Sequence, residues 1–80
     1  MKLEIITPEK KLFDGEINSI TVPGSKGPFM VLHNHAPLIS TLDKGQIKIV
    51  TANSQEEFLD IEGGVIEVQR NNIIVLADMN

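Results

Sequence analysis

The residues with the greatest chemical capacity in this sequence are its two histidines, which stand one residue apart in His33-Asn34-His35. On an extended chain, residues two apart point to the same side, so both imidazoles are placed to hold one metal ion. A working site needs a third or fourth ligand, which Asp or Glu from elsewhere would have to supply. The same segment also reads as a turn ahead of Ala36-Pro37, with its histidines as surface or interface hydrogen-bonders. Asp and Glu number 11. Acid–base catalysis needs two of them in a cleft with displaced pKa values, and a chain of 80 residues has little room for one. From Glu4 to Asp78 they are scattered over turns and polar strand positions, the pattern of a solvated surface. Nucleophile motifs are missing: there is no Cys, and Ser19, Ser25, Ser40 and Ser54 lie outside any Gly-x-Ser-x-Gly elbow. Gly24-Ser25-Lys26-Gly27 lacks the phosphate-loop pattern GxxxxGK[ST] and reads as a turn between strands. No catalytic residue, cofactor site or metal site is assigned, and the chain is expected to act by binding other proteins.

Composition narrows the partners. The chain is 41% hydrophobic but only 4% aromatic, with neither Trp nor Tyr, so its core must be built from Ile, Val and Leu. A chain this short buries roughly 60–65% of the surface its unfolded form exposes, and without Cys it has no disulfide to compensate. Tight aliphatic packing, or burial against partners, has to supply the stability. The net charge of −4, with no Lys/Arg-rich run and few aromatic rings for stacking, argues against nucleic acid. No apolar run approaches the ~20 residues that span a bilayer. Met1-Lys2-Leu3-Glu4 opens a strand pattern instead of a leader. The expectation is a cytosolic protein that reaches a membrane complex only through a partner.

The elements that must position these residues are strands. Turn signals such as Thr7-Pro8, Pro23-Gly24, Asp43-Lys44-Gly45, Asn53-Ser54-Gln55 and Gly63-Gly64 recur about every eight to ten residues, the rhythm of short strands. Asp14-Gly15 and Asn71-Asn72 suit two-residue hairpins, and Pro23-Gly24 suits a type II turn with Gly24 at positive φ. Between the signals, Ile47 and Ile49 alternate with polar neighbours, as do Ile66 and Val68. Ile73 to Ala77 is apolar on both faces, which predicts a central strand covered on both sides. No stretch keeps helical apolar spacing over three turns, although residues 37–43 allow one short helical turn. One compact β-sandwich over residues 1–80 is expected. The turn-rich segment Pro23 to Pro37 is a candidate binding region, and the run Phe29 to Leu32 inside it reads first as core, with a partner-facing part as the alternative.

Several segments then fall into a known order: Leu12-Phe13-Asp14-Gly15-Glu16, Val22-Pro23-Gly24-Ser25-Lys26-Gly27, His35-Ala36-Pro37-Leu38-Ile39, Gly45-Gln46-Ile47-Lys48-Ile49, Gly63-Gly64-Val65-Ile66-Glu67-Val68, and Asn72 to Asp78. Together they resemble the N-terminal domain of the epsilon subunit of F-type ATP synthases, over nearly the whole chain. The resemblance implies an all-β, flattened β-sandwich of about ten short strands in two sheets. It also implies a non-catalytic rotor subunit that grips the gamma subunit in the central stalk and rests on the polar loops of the c-ring. That subunit couples ring rotation to ATP synthesis, needs no cofactor, and sits peripherally on the cytoplasmic side of the bacterial membrane without inserting. By position, Ser25, Lys26, Gly27 and Pro28 would meet the c-ring, and Thr7, His35 and Ser40 the gamma subunit. Pro28 stands where the family often has an acidic residue, and His33-Asn34 where many relatives have Pro-Gly. The family usually continues past Asp78 into an inhibitory helical hairpin, and the expectation is a form that keeps coupling and lacks the hairpin. The second reading is a free-standing metal- or ligand-binding sandwich using His33 and His35.

Overall fold

Where Ile, Val and Leu alternate with polar residues, only a pleated strand puts every second side chain on one dry face. The computed structural model describes residues 1–79, and its regular elements are eight strands: β1 (Lys2–Ile6), β2 (Lys11–Val22), β3 (Phe29–Val31), β4 (Leu38–Leu42), β5 (Gly45–Thr51), β6 (Glu56–Ile61), β7 (Gly63–Gln69) and β8 (Asn72–Asp78). The first sheet runs β4-β7-β8-β1-β2 and is antiparallel except where β1 lies parallel to β8. The second is built on the later half of β2, which pairs with β3 and with β5, and β6 closes it beyond β5.

β2 therefore belongs to both sheets. Its first half pairs with β1, from Lys11 opposite Ile6 to Glu16 opposite Lys2, and its second half pairs with β5 from Ile17 onward. The register against β5 slips between Ile17 and Ser19, leaving Asn18 as the extra residue of a β-bulge. The bulge explains an irregular spacing: Ile17, Ile20 and Val22 are not strictly alternate, yet all are buried. Without it Ile17 and Ile20 would point to opposite faces.

The sheets close face to face on an aliphatic core. Leu3, Ile5, Leu42, Ile66, Val68, Ile73, Val75 and Ala77 come from the first sheet, and Ile17, Ile20, Val22, Val31, Ile47, Ile49 and Ile61 from the second; all are at most 5% exposed. The all-β sandwich expected from the sequence is what the chain forms, with fewer strands than the ten or so implied by resemblance. One reason is that Asp14-Gly15 is not a turn. Both lie inside β2, opposite Glu4 and Leu3, and the chain reverses earlier. There Thr7 Oγ1 donates to the Lys10 carbonyl (2.9 Å) and accepts from the Lys10 N–H (3.1 Å).

Four other expectations shift. Residues 38–42 extend as β4 rather than coil, because pairing with β7 satisfies their backbone. The left-handed glycine of the Pro23 turn is Gly27 (φ 122), not Gly24; Gly24 is buried, and a Cβ there would stand 2.7 Å from the Phe29 ring. At the β7–β8 hairpin the left-handed residue is Arg70 (φ 58), and Asn72 already opens β8. Finally, β8 is central in its sheet but covered on one face only, since Leu76 is 53% exposed.

Gly64 tests the close packing of the first sheet. Its φ of 154 disfavours any side chain, and a Cβ would come within 2.3 Å of the Leu76 carbonyl oxygen. Gly64→Ala should lower the unfolding free energy by about 2 kcal/mol or more, read by urea denaturation. Gly27→Ala, whose Cβ would meet open space, should cost clearly less; equal losses would contradict the packing described here.

Candidate functional site

The outward face of the first sheet is defined by register. One cross-strand row is Thr41, Val65, Leu76, Ile6 and Lys11; the next is Ile39, Glu67, Ile74, Glu4 and Asp14. On β4, β7 and β8 these rows are mainly aliphatic: Ile39 is 72% and Leu76 53% exposed, with Val65 and Ile74 half-buried between them. Shallow grooves run across the band, lined in the middle by Ile39, Val65, Ile74 and Leu76 with the exposed Glu67 among them, and by Ile6, Thr7 and Pro8 at the upper end. Scattered apolar residues are normal on a surface, whereas a contiguous band on adjacent strands marks a contact site.

The residues expected from sequence frame this band. Thr7 follows β1 at the upper end; it is 7% exposed and lines the groove beside Leu76, although its hydroxyl is engaged in the turn. His35 lies at the opposite end, in the loop before β4, half-buried, with Nδ1 2.7 Å from the Ala36 carbonyl oxygen. Along the strand direction they are a strand length apart, five residues or roughly 17 Å. Ser40 alternates with Ile39, so it lies on the other face of edge strand β4, where its hydroxyl donates to the Thr41 carbonyl (2.9 Å). The structure thus puts Thr7 and His35 at opposite ends of the first sheet and sets Ser40 on the sheet's inner side.

The turn Ser25-Lys26-Gly27-Pro28 is a separate, fully exposed feature at the upper edge of β4. The Gly27 N–H donates to the Gly24 carbonyl (2.9 Å) and the Ser25 N–H to the Thr41 carbonyl (3.0 Å). Thr41 Oγ1 donates to Ser25 Oγ (2.8 Å). The turn is therefore rigidly mounted with its tip free, and among the described residues Lys26 makes no ion pair. Around His33 and His35 no third metal ligand gathers: among the described residues no cluster of three or more His, Cys, Asp or Glu is placed to share an ion.

The second sheet also exposes apolar side chains, but they are dispersed. Met30 and Phe58 share one row with Thr21 and Lys48 between them. They stand three strand spacings apart, roughly 14 Å. The Lys48 ammonium pairs with Glu56 at 3.2 Å, adding charge to that face.

Comparison with known proteins agrees with this architecture. The family described as ATP synthase, Delta/Epsilon chain, beta-sandwich domain matches residues 1–79. The chain belongs to that family. It is 44% identical over 78 residues to the ATP synthase epsilon chain of Leptospira interrogans serovar copenhageni, covering 98% of this chain and 61% of that one. It is 39% identical over 77 residues to the epsilon chain of Chlorobium limicola, covering 96% and 88%. The chain thus spans about 61% of the length of its Leptospira relatives. In solved structures the same fold occurs in the Euglena gracilis mitochondrial ATP synthase, with TM-score 0.88, 18% identity, and 94% of this chain and 48% of that one covered. It occurs again in the central stalk and c-ring of the Tetrahymena thermophila enzyme, with TM-score 0.79, 21% identity, and 100% and 63% covered.

In this Delta/Epsilon sandwich the apolar band ends sharply at β1 and β2, where a charged network replaces it. Lys11 Nζ lies 2.7 Å from Glu4 and 3.3 Å from Asp14, and Lys2 Nζ lies 3.4 Å from Asp14. Hydrogen bonding from Lys11 holds the Asp14 carboxyl below its ordinary value of 3.8, and hydrogen bonding to Glu4, then Asp14, raises Lys11 above 10.5. Sequence reading missed both the band and the network, because they depend on which strands lie side by side. The one available signal was the two-faced apolar run from Ile73 to Ala77.

The sign of the Asp14 shift fixes its pH dependence. A carboxyl depressed in the folded state contributes stability above its ordinary value, and that contribution is lost as pH falls through the folded value. Thermal melts of the native chain should therefore lose midpoint more steeply below pH 3.8 than melts of Lys11→Met. The difference should fade in 1 M salt, since both groups are over 40% exposed. Parallel acid limbs for the two proteins would refute the pairing.

Proposed function

We propose that this chain works as one domain and is a non-catalytic part of the central stalk of a proton-translocating ATP synthase, a rigid connector between the gamma subunit and the c-ring. The observation that carries the reading is the exposed band of Ile39, Val65, Ile74 and Leu76, on a fold whose family and relatives are ATP synthase epsilon chains. The band is a β-sheet face, stiff because its strands are paired on both sides except at β4. A partner bound there is held without bending, as torque transmission requires. We assign this face to the gamma subunit, with Thr7 and His35 at its two ends; Ser40, on the opposite face of edge strand β4, would meet that partner only around the β4 edge. A single partner must then lie along the strands to reach both ends.

The turn Ser25-Lys26-Gly27-Pro28 is assigned to the polar loops of the c-ring. Its mounting on Thr41 keeps the tip in a defined place relative to the gamma face. With Pro28 in the turn, the charge available is the Lys26 ammonium, which suits an acidic group on the ring. In this reading the domain is peripheral to the membrane on the cytoplasmic side.

The test is titration calorimetry with the host's gamma subunit. The native chain should bind it. Leu76→Asp and Ile39→Asp should each weaken binding at least tenfold, about 1.4 kcal/mol, because they put a charge into a dry interface. Neither should unfold the free domain, since both side chains already face solvent. Met30→Asp and Phe58→Asp should leave the affinity within about twofold. If the Met30 and Phe58 variants weaken binding and the Leu76 variant does not, the wrong sheet has been assigned.

A separate measurement addresses the ring. On a rotor of gamma and c-ring, Lys26→Glu should shorten retention of the chain relative to the native protein, and the difference should shrink with added salt. Unchanged retention would remove Lys26 from the contact.

A further inference from the structure

The loop that carries His35 is held by one long-range contact. Asn34 adopts the left-handed conformation, with φ 64, which side chains other than Gly resist and Asn tolerates best. Its backbone N–H donates to Asn71 Oδ1 at 3.0 Å, and Asn71 Nδ2 donates back to Asn34 Oδ1 at 3.4 Å, across 37 residues of sequence. Asn71 is itself anchored, because its carbonyl accepts the Lys2 N–H at 2.8 Å where β1 begins. The other hydrogen bonds at residues 33–36 are local: the His35 N–H to the Leu32 carbonyl (3.2 Å), and His35 Nδ1 with the Ala36 carbonyl. Asn34 is exposed, so its contact with Asn71 buries little and is not needed to close the core. What the contact does is fix the loop in space.

From this geometry we propose that Asn71 is a positioning residue for partner binding. Its side-chain amide clamps Asn34 to the floor of the first sheet, and so presents His35 and Pro37 in one orientation at the lower end of the docking face. This inference rests on the reading that the His35 end meets the gamma subunit. A loop fixed before binding loses less conformational entropy when the partner arrives, so the clamp acts on affinity and hardly on stability. It carries no titratable group, so its effect is independent of pH across the neutral range.

Three variants separate the clamp from general structure. Asn71→Ala removes both hydrogen bonds. Asn71→Asp keeps an acceptor for the Asn34 N–H. Asn34→Gly keeps that N–H and accepts the left-handed conformation freely. Amide exchange at residue 34, the thermal midpoint, and gamma affinity by calorimetry are read on each. Asn71→Ala is expected to speed exchange at Asn34 and to weaken gamma binding by about three- to tenfold, the worth of a hydrogen bond or two, at a midpoint close to native. Asn71→Asp should restore both exchange protection and affinity to within about twofold of native, as should Asn34→Gly. Faster exchange in Asn71→Ala with unchanged affinity, while His35→Glu still weakens binding, would overturn the positioning role and leave the docking face standing. An equal loss of affinity in Asn71→Ala and Asn71→Asp would also overturn it. If neither His35→Glu nor Asn71→Ala alters gamma binding, the assignment of that end of the face falls, and the clamp's role with it.

Discussion

A strand of twelve residues can serve two sheets only if it changes direction midway, and β2 does this at the bulge beside Asn18. Every other placement follows from that bend. The half before it receives β1, and through β1 the parallel partner β8, then β7 and β4. The half after it receives β3 and β5, and through β5 the edge strand β6. Because the bulge shifts the alternation by one residue, Ile17 and Ile20 both enter the core, and the sheets meet over a continuous aliphatic layer.

That core is made almost wholly of Ile, Val and Leu, whose stiff side chains pack well on pleated surfaces. A chain of 80 residues has little interior, so aliphatic residues beyond what the core accommodates remain outside. They do not remain at random. On the first sheet they form a band over adjacent strands β4, β7 and β8, in which Glu67 alone stands between Ile39 and Ile74 while Val65 and Leu76 pair directly beside it; on the second they are separated by both Thr21 and Lys48. The first arrangement suits a broad protein contact, and the second suits water. The charged cluster of Lys2, Glu4, Lys11 and Asp14 bounds the band.

Much of this was legible in the sequence, and the parts that were not share a cause. Alternation at Ile47 and Ile49, and at Ile66 and Val68, marked strands correctly, because one buried face imposes a period of two. Asp14-Gly15 misled because glycine permits a turn without requiring one. Inside β2 its lack of a side chain is simply accommodated, and Lys2 and Lys11 hold Asp14 in place. Ile73 to Ala77 read as a strand covered on both sides, since sequence records hydrophobicity and not what covers it. Ile39 carried no signal of its own; its exposure follows from β4 being an edge strand with Leu38 and Leu42 turned inward. The pairing of Asn34 with Asn71 joins two turns far apart in the chain, and no local pattern announces it. His33 and His35 looked like a ligand pair by spacing alone, yet the fold brings no third ligand to them among the described residues.

The central claim is that the outward face of the β4-β7-β8 sheet is the surface that meets the gamma subunit. Methyl cross-saturation NMR addresses it directly, with the labelled chain bound to unlabelled gamma subunit and the partner irradiated. Saturation should reach the methyl groups of Ile39, Val65, Ile74 and Leu76 and should spare those of Met30 and Leu32. Saturation at Met30 and Leu32, with Ile74 and Leu76 untouched, would contradict the account.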